Sequence, residues 1–221
     1  MGSHRHRMVG FVAVIASALL TGCLGSYQVS PDESLGSGGL RPTQGDKDAG
    51  RVGIAPGFDL KGYGVVAVAR FAVVDPSIKD DGDRRLADTM SVFLQSEMVR
   101  RLRESGLFAR VVNLSETEFQ PGPDKTLKLD GAITRMGEGS QALRAMFGLY
   151  GGGAAKTQAE TRFVDMQSGQ VVIVTADRRQ ANMGGAWGGD AKDYLRESFD
   201  DIARDLAKFL VRLSKGQAPA P

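Results

Sequence analysis

Between Asp190 and Leu213 the apolar residues Leu195, Phe199, Ile202, Leu206, Phe209, Leu210 and Leu213 recur at intervals of three and four. That spacing predicts a helix with one apolar face. A helix of this kind needs another apolar surface to lie on, and that requirement constrains the rest of the chain. A second helix is predicted where Leu86, Met90, Leu94, Met98 and Leu102 recur every four residues behind an acidic start at Asp80 to Asp83. Gly106 is its expected stop. Arg84, Arg85, Arg100, Arg101 and Arg103 lie off the apolar stripe and read as a solvated face.

The surface for these helices is supplied by strands. Tyr63 to Val74 contains a nearly continuous apolar run, which suggests a strand buried on both faces. Leu107 to Leu114 is a short strand, and in Thr126 to Met136 the residues Leu127, Leu129, Gly131 and Ile133 alternate with Lys128, Asp130, Ala132 and Thr134. Ala155 to Phe163 alternates in the same way, then Gln167-Ser168-Gly169 turns the chain into Val171 to Ala176. The order strand, helix, four strands, helix predicts an α+β fold of two layers: a mostly antiparallel five-stranded sheet with two main helices on one face. No repeat of 20 to 50 residues is present, which speaks against a solenoid or propeller.

Two glycine-rich loops interrupt this pattern. Gly137 to Gly153 crowds Leu143, Met146, Phe147, Leu149 and Tyr150 among glycines, and apolar groups on a long loop need a partner, either the sheet itself or another molecule. Gly151 to Thr157 superficially suggests a phosphate loop. It fails the pattern, because Ala155 precedes Lys156 and the following residues alternate as a strand where a helix N-terminus is required. Asn182 to Gly189 holds the sole tryptophan, Trp187, which either packs over the last helix or anchors a partner. Arg144, Phe147, Tyr150 and Trp187 are therefore the candidate partner-binding residues.

Residues 23–62 read as a flexible tether, since Gly, Ser and Pro break every helical or strand period and apolar residues are sparse. As a coil its 39 residues after Cys23 span about 35 Å, against an extended limit of about 130 Å. An alternative for Ile54 to Leu60 is that it covers a sheet edge. Residues 63–214 form the expected folded domain and 215–221 a disordered tail.

The first residues carry a location signal. His4, Arg5, His6 and Arg7 make a basic start, Met8 to Leu20 supply thirteen uncharged residues, and Leu20-Thr21-Gly22-Cys23 closes the segment. The apolar run is shorter than the roughly 20 residues a transmembrane helix needs. The segment resembles a bacterial lipoprotein signal. That resemblance implies cleavage after Gly22, leaving 1–22 as signal peptide, and acylation (palmitate among the chains) of Cys23, the only cysteine. Two or more acyl chains give stable membrane attachment where one gives only marginal binding. Leu24, where an Asp would retain such a protein at the inner membrane, implies the outer membrane, facing the periplasm.

Removing residues 1–22 takes both histidines and two arginines, which leaves 26 Lys plus Arg against 26 Asp plus Glu. The usual general base, triad base and metal ligand near neutral pH is histidine, so no catalytic residue, metal or cofactor is expected. A net charge this small also gives no basis for nucleic acid as the partner.

From Tyr63 to Leu213, chiefly in Gly139-Ser140-Gln141-Ala142-Leu143-Arg144, Gly148, Gly151 to Ala154, Phe163-Val164-Asp165 and Ser168-Gly169, the chain resembles a family of bacterial lipoproteins with a periplasmic domain of unknown function. These motifs are turn glycines and strand alternation, so the resemblance implies a fold and supplies no catalytic residues. Similarity to periplasmic lipoprotein domains that activate wall synthases or assemble secretion pores is one of architecture only.

The expected function is a non-enzymatic binding or assembly module of the cell envelope, attached to the membrane through its N-terminal lipid and directed at a protein partner. Two alternatives differ in class. One is a carrier of a lipid or other apolar ligand between helices and sheet. The other is a carboxylate-based cell-wall enzyme using Asp165 and Glu160, whose opposite parity along one strand points them to opposite faces.

Overall fold

The computed structural model describes residues 27–29, 39–136, 154–182 and 191–221. In chain order these form β1 (Tyr27–Val29), β2 (Gln44–Asp46), β3 (Gly50–Ile54), a 3-10 turn (Leu60–Gly62), β4 (Val65–Val68), β5 (Ala72–Val73), α1 (Asp81–Ser105), β6 (Arg110–Asn113), β7 (Thr126–Met136), β8 (Ala154–Asp165), β9 (Val171–Asn182) and α2 (Ala191–Ser214). The α+β class stands. The sheet is larger than the expected five strands and is mixed: the described residues contribute nine strands, seven of them in the order β2-β3-β9-β8-β7-β4-β6, with β1 beside β9 and β5 beside β7.

The strongly periodic elements form where the sequence places them. The Asp80 side chain caps α1 by accepting from the amide of Asp83 at 2.8 Å, and Gly106 closes the helix at φ 66°. Met90, Leu94, Met98 and Leu102 are completely or almost completely buried. At the β8–β9 hairpin the Asp165 carboxylate accepts from the amides of Gln167 (2.8 Å) and Ser168 (3.1 Å), and Gly169 adopts φ 72°.

Parallel pairing is the main departure. β4 lies parallel to both β6 and β7, and β5 is parallel to β7. The cause is α1, which carries the chain back along the sheet after β4 so that β6 starts from the same end as β4. The remaining neighbours, β2 with β3, β3 with β9, β9 with β8 and β8 with β7, are antiparallel.

The second departure is in the stretch read as tether, where β2 and β3 make a hairpin at the sheet's edge. Its turn is set by Asp46, whose Oδ1 accepts from the amides of Asp48 (2.9 Å) and Ala49 (3.0 Å), and by Gly50 at φ 71°. At the other end of the chain, within the segment read as a disordered tail, the Lys47 amide donates to the Ala220 carbonyl at 2.8 Å.

Both helices pack on one face of the sheet and on each other. Their core joins Leu94, Met98, Phe199, Ile202, Leu206 and Phe209 to Val66, Val68, Leu127, Leu129, Ile133, Phe163 and Ile173. Arg101 clamps the helix pair through Asp200, at 2.7 and 2.8 Å from the two carboxylate oxygens. Val65, Ala67 and Val112 point the other way and form a small cluster with Leu114, Phe119 and Met166. The sheet therefore has a thickly covered face and a second face only partly covered, and the second face carries the cleft described next.

Candidate functional site

Leu127, Leu129 and Ile133 of β7 and Ala159 and Phe163 of β8 face the helices, so Lys128, Asp130, Ala132, Glu160 and Arg162 share the opposite face. Together with Ala69, Arg70, Ala72 and Gly131 they line a cleft of about 490 Å³. Its floor is made possible by Gly131. A Cβ there would sit 2.0 Å from the Glu160 carbonyl oxygen and 3.0 Å from the Phe71 ring, so only glycine lets β7 approach β8 this closely.

That approach sets Asp130 directly opposite Arg162 in the ladder. Opposite charges on facing strands attract. The Arg162 Nε and Nη2 both donate to the Asp130 carboxylate, and the Lys128 ammonium lies 2.9 Å from its Oδ2. The Asp130 side chain is only 11% exposed, whereas those of Lys128 and Arg162 are 38% and 47% exposed. Burial pushes the Asp130 carboxyl up, but the hydrogen bonds from Arg162 and Lys128 outweigh it and hold the group below its ordinary value. The same pairing holds the Arg162 guanidinium above its ordinary value.

Further along the face, Gln158 donates to the Glu160 carboxylate at 3.1 Å and accepts from the Arg178 guanidinium at 3.2 Å. These three are buried, as is Asp130, although alternation reads this side of the hairpin as solvated. Arg70 is anchored to α1, with Nε 3.1 Å from the Ser91 hydroxyl and Nη2 3.0 Å from Asp88.

The two carboxylates weighed as a catalytic pair do lie on opposite faces. Glu160 lines the cleft, while Asp165 accepts from the Tyr63 hydroxyl at 2.7 Å beside the helix-facing core. Burial first, and Asp165 second, raise the Tyr63 phenol to about 12. The described residues contain no group of three or more His, Cys, Asp or Glu able to hold a metal ion. Among the described residues, Phe163, Phe199, Phe209 and Ile173 are fully buried between helices and sheet.

Cys23, Arg144, Phe147, Tyr150 and Trp187, the residues singled out for lipidation and partner binding, lie outside the described residues. Of the cleft residues, sequence reasoning passed over Lys128, Asp130, Arg162 and Arg70. The signal was present in a charged residue, Arg70, inside the apolar run, and in the Lys128 and Asp130 pair two apart on one strand face. Only the register of β7 against β8 joins them to Arg162.

Among solved structures, a PelC dodecamer from Paraburkholderia phytofirmans is 17% identical, with a TM-score of 0.41 over 71% of this chain and 94% of that one. Protein XCC0632 from Xanthomonas campestris, of family DUF330, is 12% identical, with a TM-score of 0.44 over 74% and 91%. A candidate lipoprotein from Caulobacter crescentus is 13% identical, with a TM-score of 0.39 over 73% and 96%. No curated protein matches the chain. No described helix is long and apolar enough to cross a membrane. Residues 66–185, over half of the 221-residue chain, match the family described as a domain of unknown function, DUF4410, and the chain belongs to that family.

Proposed function

We propose that this chain is a lipid-anchored module of the bacterial cell envelope, held at the outer membrane through Cys23, which binds a protein partner and performs no chemistry itself. The observation that carries the binding role is the state of the cleft's charges. Asp130 is committed to Lys128 and Arg162, and its carboxyl is held below its ordinary value. A general base works best with a pKa near the working pH, so such a group is poorly matched to proton transfer. Charges fixed on a rigid sheet and reaching solvent suit recognition instead. The anchor rests on the sequence: a basic start, an uncharged run of thirteen residues, and Leu20-Thr21-Gly22-Cys23.

The test is fractionation of cells expressing the full chain and its Cys23→Ala form. The native chain is expected in the outer-membrane fraction with an acylated, processed amino end, and the variant in the soluble fraction. Membrane retention of the variant, or a native product with an unmodified cysteine, overturns the anchor. Crosslinking in envelope extracts then reads the partner: a stoichiometric protein adduct supports the binding role, and turnover of wall fragments by the purified chain overturns it.

A further inference from the structure

The cleft has a sign. Its lining holds three cations, Arg70, Lys128 and Arg162, against two carboxylates, Asp130 and Glu160. Arg70 is paired with Asp88 of α1. Glu160 is engaged along the sheet with Gln158, which also accepts from Arg178. The cluster left facing the cleft is therefore Lys128 and Arg162 about Asp130, with one positive charge in excess. Asp130 is shared between Lys128 and Arg162, so one negative charge is divided between two cations.

The donors of those two cations are not used up. Arg162 spends Nε and Nη2 on Asp130, and among the described residues its Nη1 makes no hydrogen bond. The Lys128 ammonium has three protons and, among the described residues, one close carboxylate oxygen, Oδ2 of Asp130. Asp130 is the least exposed of the three side chains and Arg162 the most, so the carboxylate sits beneath the cations and holds them side by side with donors toward solvent. Holding a guanidinium and an ammonium in place removes much of the entropy that flexible cations lose on binding an anion.

We propose that this cleft receives a single carboxylate, carried by an extended segment of a protein partner. The inference rests on the binding role given above and names the ligand class for it. One unbalanced positive charge matches one carboxylate and is too little for a polyanion such as nucleic acid. The rest of the lining is made by Ala69, Ala72, Gly131, Ala132 and Thr161, which present no bulky side chain, and the Thr161 hydroxyl is engaged by Thr175. A volume of about 490 Å³ is of the size of ordinary ligand sites and exceeds what one small anion fills. A carboxylate on a thin, extended backbone meets both conditions. Its two sources are an Asp or Glu side chain and a chain's own C-terminus.

The experiment is a titration of the isotope-labelled full chain, following the Arg162 Nε–H and the Lys128 side chain by NMR. The probes are an acetylated and amidated peptide Gly-Ala-Glu-Ala-Gly, the same peptide with Gln for Glu, an acetylated Gly-Ala-Ala-Ala with a free carboxylate, and inorganic phosphate. The Glu peptide is expected to bind at least about ten-fold more tightly than the Gln peptide, as loss of a charge-assisted hydrogen bond implies. Tighter binding of the free-carboxylate peptide assigns the site to a C-terminus, and tighter binding of the Glu peptide to a side chain. Lys128→Gln, which leaves Arg162 on Asp130, is expected to weaken the acidic peptide about ten-fold, and Lys128→Arg to restore it. Arg162→Lys, which keeps the charge and loses the fork, is expected to weaken it without unfolding.

Equal binding of Glu and Gln peptides, an unchanged affinity in Lys128→Gln, or phosphate binding as tightly as the peptides each overturns the proposal. If the acidic peptides fail while envelope crosslinking still yields a partner, the ligand class is wrong and the binding role stands. If they bind and no envelope partner is found, the binding role fails and the cleft's selectivity stands.

Discussion

Arg212 of α2 and Asp46 of β2, 166 positions apart in sequence, form a two-pronged ion pair with Nη2 at 2.7 and 2.8 Å from the two carboxylate oxygens. The Asp46 side chain is entirely buried and that of Arg212 is 18% exposed, while the Arg212 Nε also donates to Asp48 at 2.8 Å. Arg212→Ala leaves a buried carboxylate with only backbone amides. It is expected to lower unfolding stability by about 3–5 kcal/mol, the range for breaking one partner out of a buried pair. Urea denaturation checks this, and Arg212→Lys should recover part of the loss because it returns the charge without the fork.

Acid should unfold the protein through the same network. Burial raises the Asp46 carboxyl, but Arg212 and the amides of Asp48, Ala49 and Ala220 outweigh it, so the folded value lies below the ordinary one. Asp205 is lowered likewise, with burial opposed by Arg204, Lys208 and Arg179. Folded values below unfolded ones mean stability is complete above the unfolded pKa of about 3.9 and is lost as pH falls through the lower folded values. Thermal melting is therefore expected to be flat from neutrality to about pH 5 and to fall steeply below about pH 4. In Asp46→Asn this acid dependence should shrink.

The Tyr63 phenol provides an opposite sign. Its folded value of about 12 lies above the ordinary 10, with burial as the first cause and the hydrogen bond to Asp165 as the second. Its contribution to stability is present below pH 10 and disappears as pH rises through 12. Ultraviolet titration of the folded chain should show Tyr63 ionising late, and Asp165→Asn should bring it back toward 10.

Gly131→Ala is expected to cost about 1–3 kcal/mol or more, because the new methyl meets the Glu160 carbonyl oxygen at 2.0 Å and two strands must part to admit it. The same change should disturb the Asp130 and Arg162 pairing, visible as a shifted Arg162 Nε–H resonance. An unchanged melting temperature and resonance would show that β7 and β8 can separate there freely.

Most of the helix-facing half of the fold is legible in the sequence. The intervals of three and four in α2, the four-residue stripe of α1 and the alternation of β7 and β8 each report one buried face, because each element packs on one side of its own axis. β9 is harder to read past Ile173. On its helix-facing side stand Thr175, Asp177 and Arg179, which are buried by pairing: Thr175 with Thr161 at 2.7 Å, and Arg179 with Asp177 at 2.6 Å and Asp205 at 3.1 Å. Hydropathy sees polar residues there and ends the strand at Ala176, six residues before Asn182. β2 and β3 escape for a related reason, since their hairpin is held by the Asp46 carboxylate and Gly50 more than by an apolar stripe. The cleft depends on strand register, which no local pattern in one strand contains.

The pairing of β3 and β1 with β9 sets an order of events. Residues 27–29 and 50–54 find their sheet neighbours at residues 178–180 and 173–176, so these segments cannot be seated until β9 has left the ribosome. Until then several strand edges stand open, and open edges recruit one another. A chain made in this order keeps those edges open for longer than a domain whose neighbours in space are neighbours in synthesis.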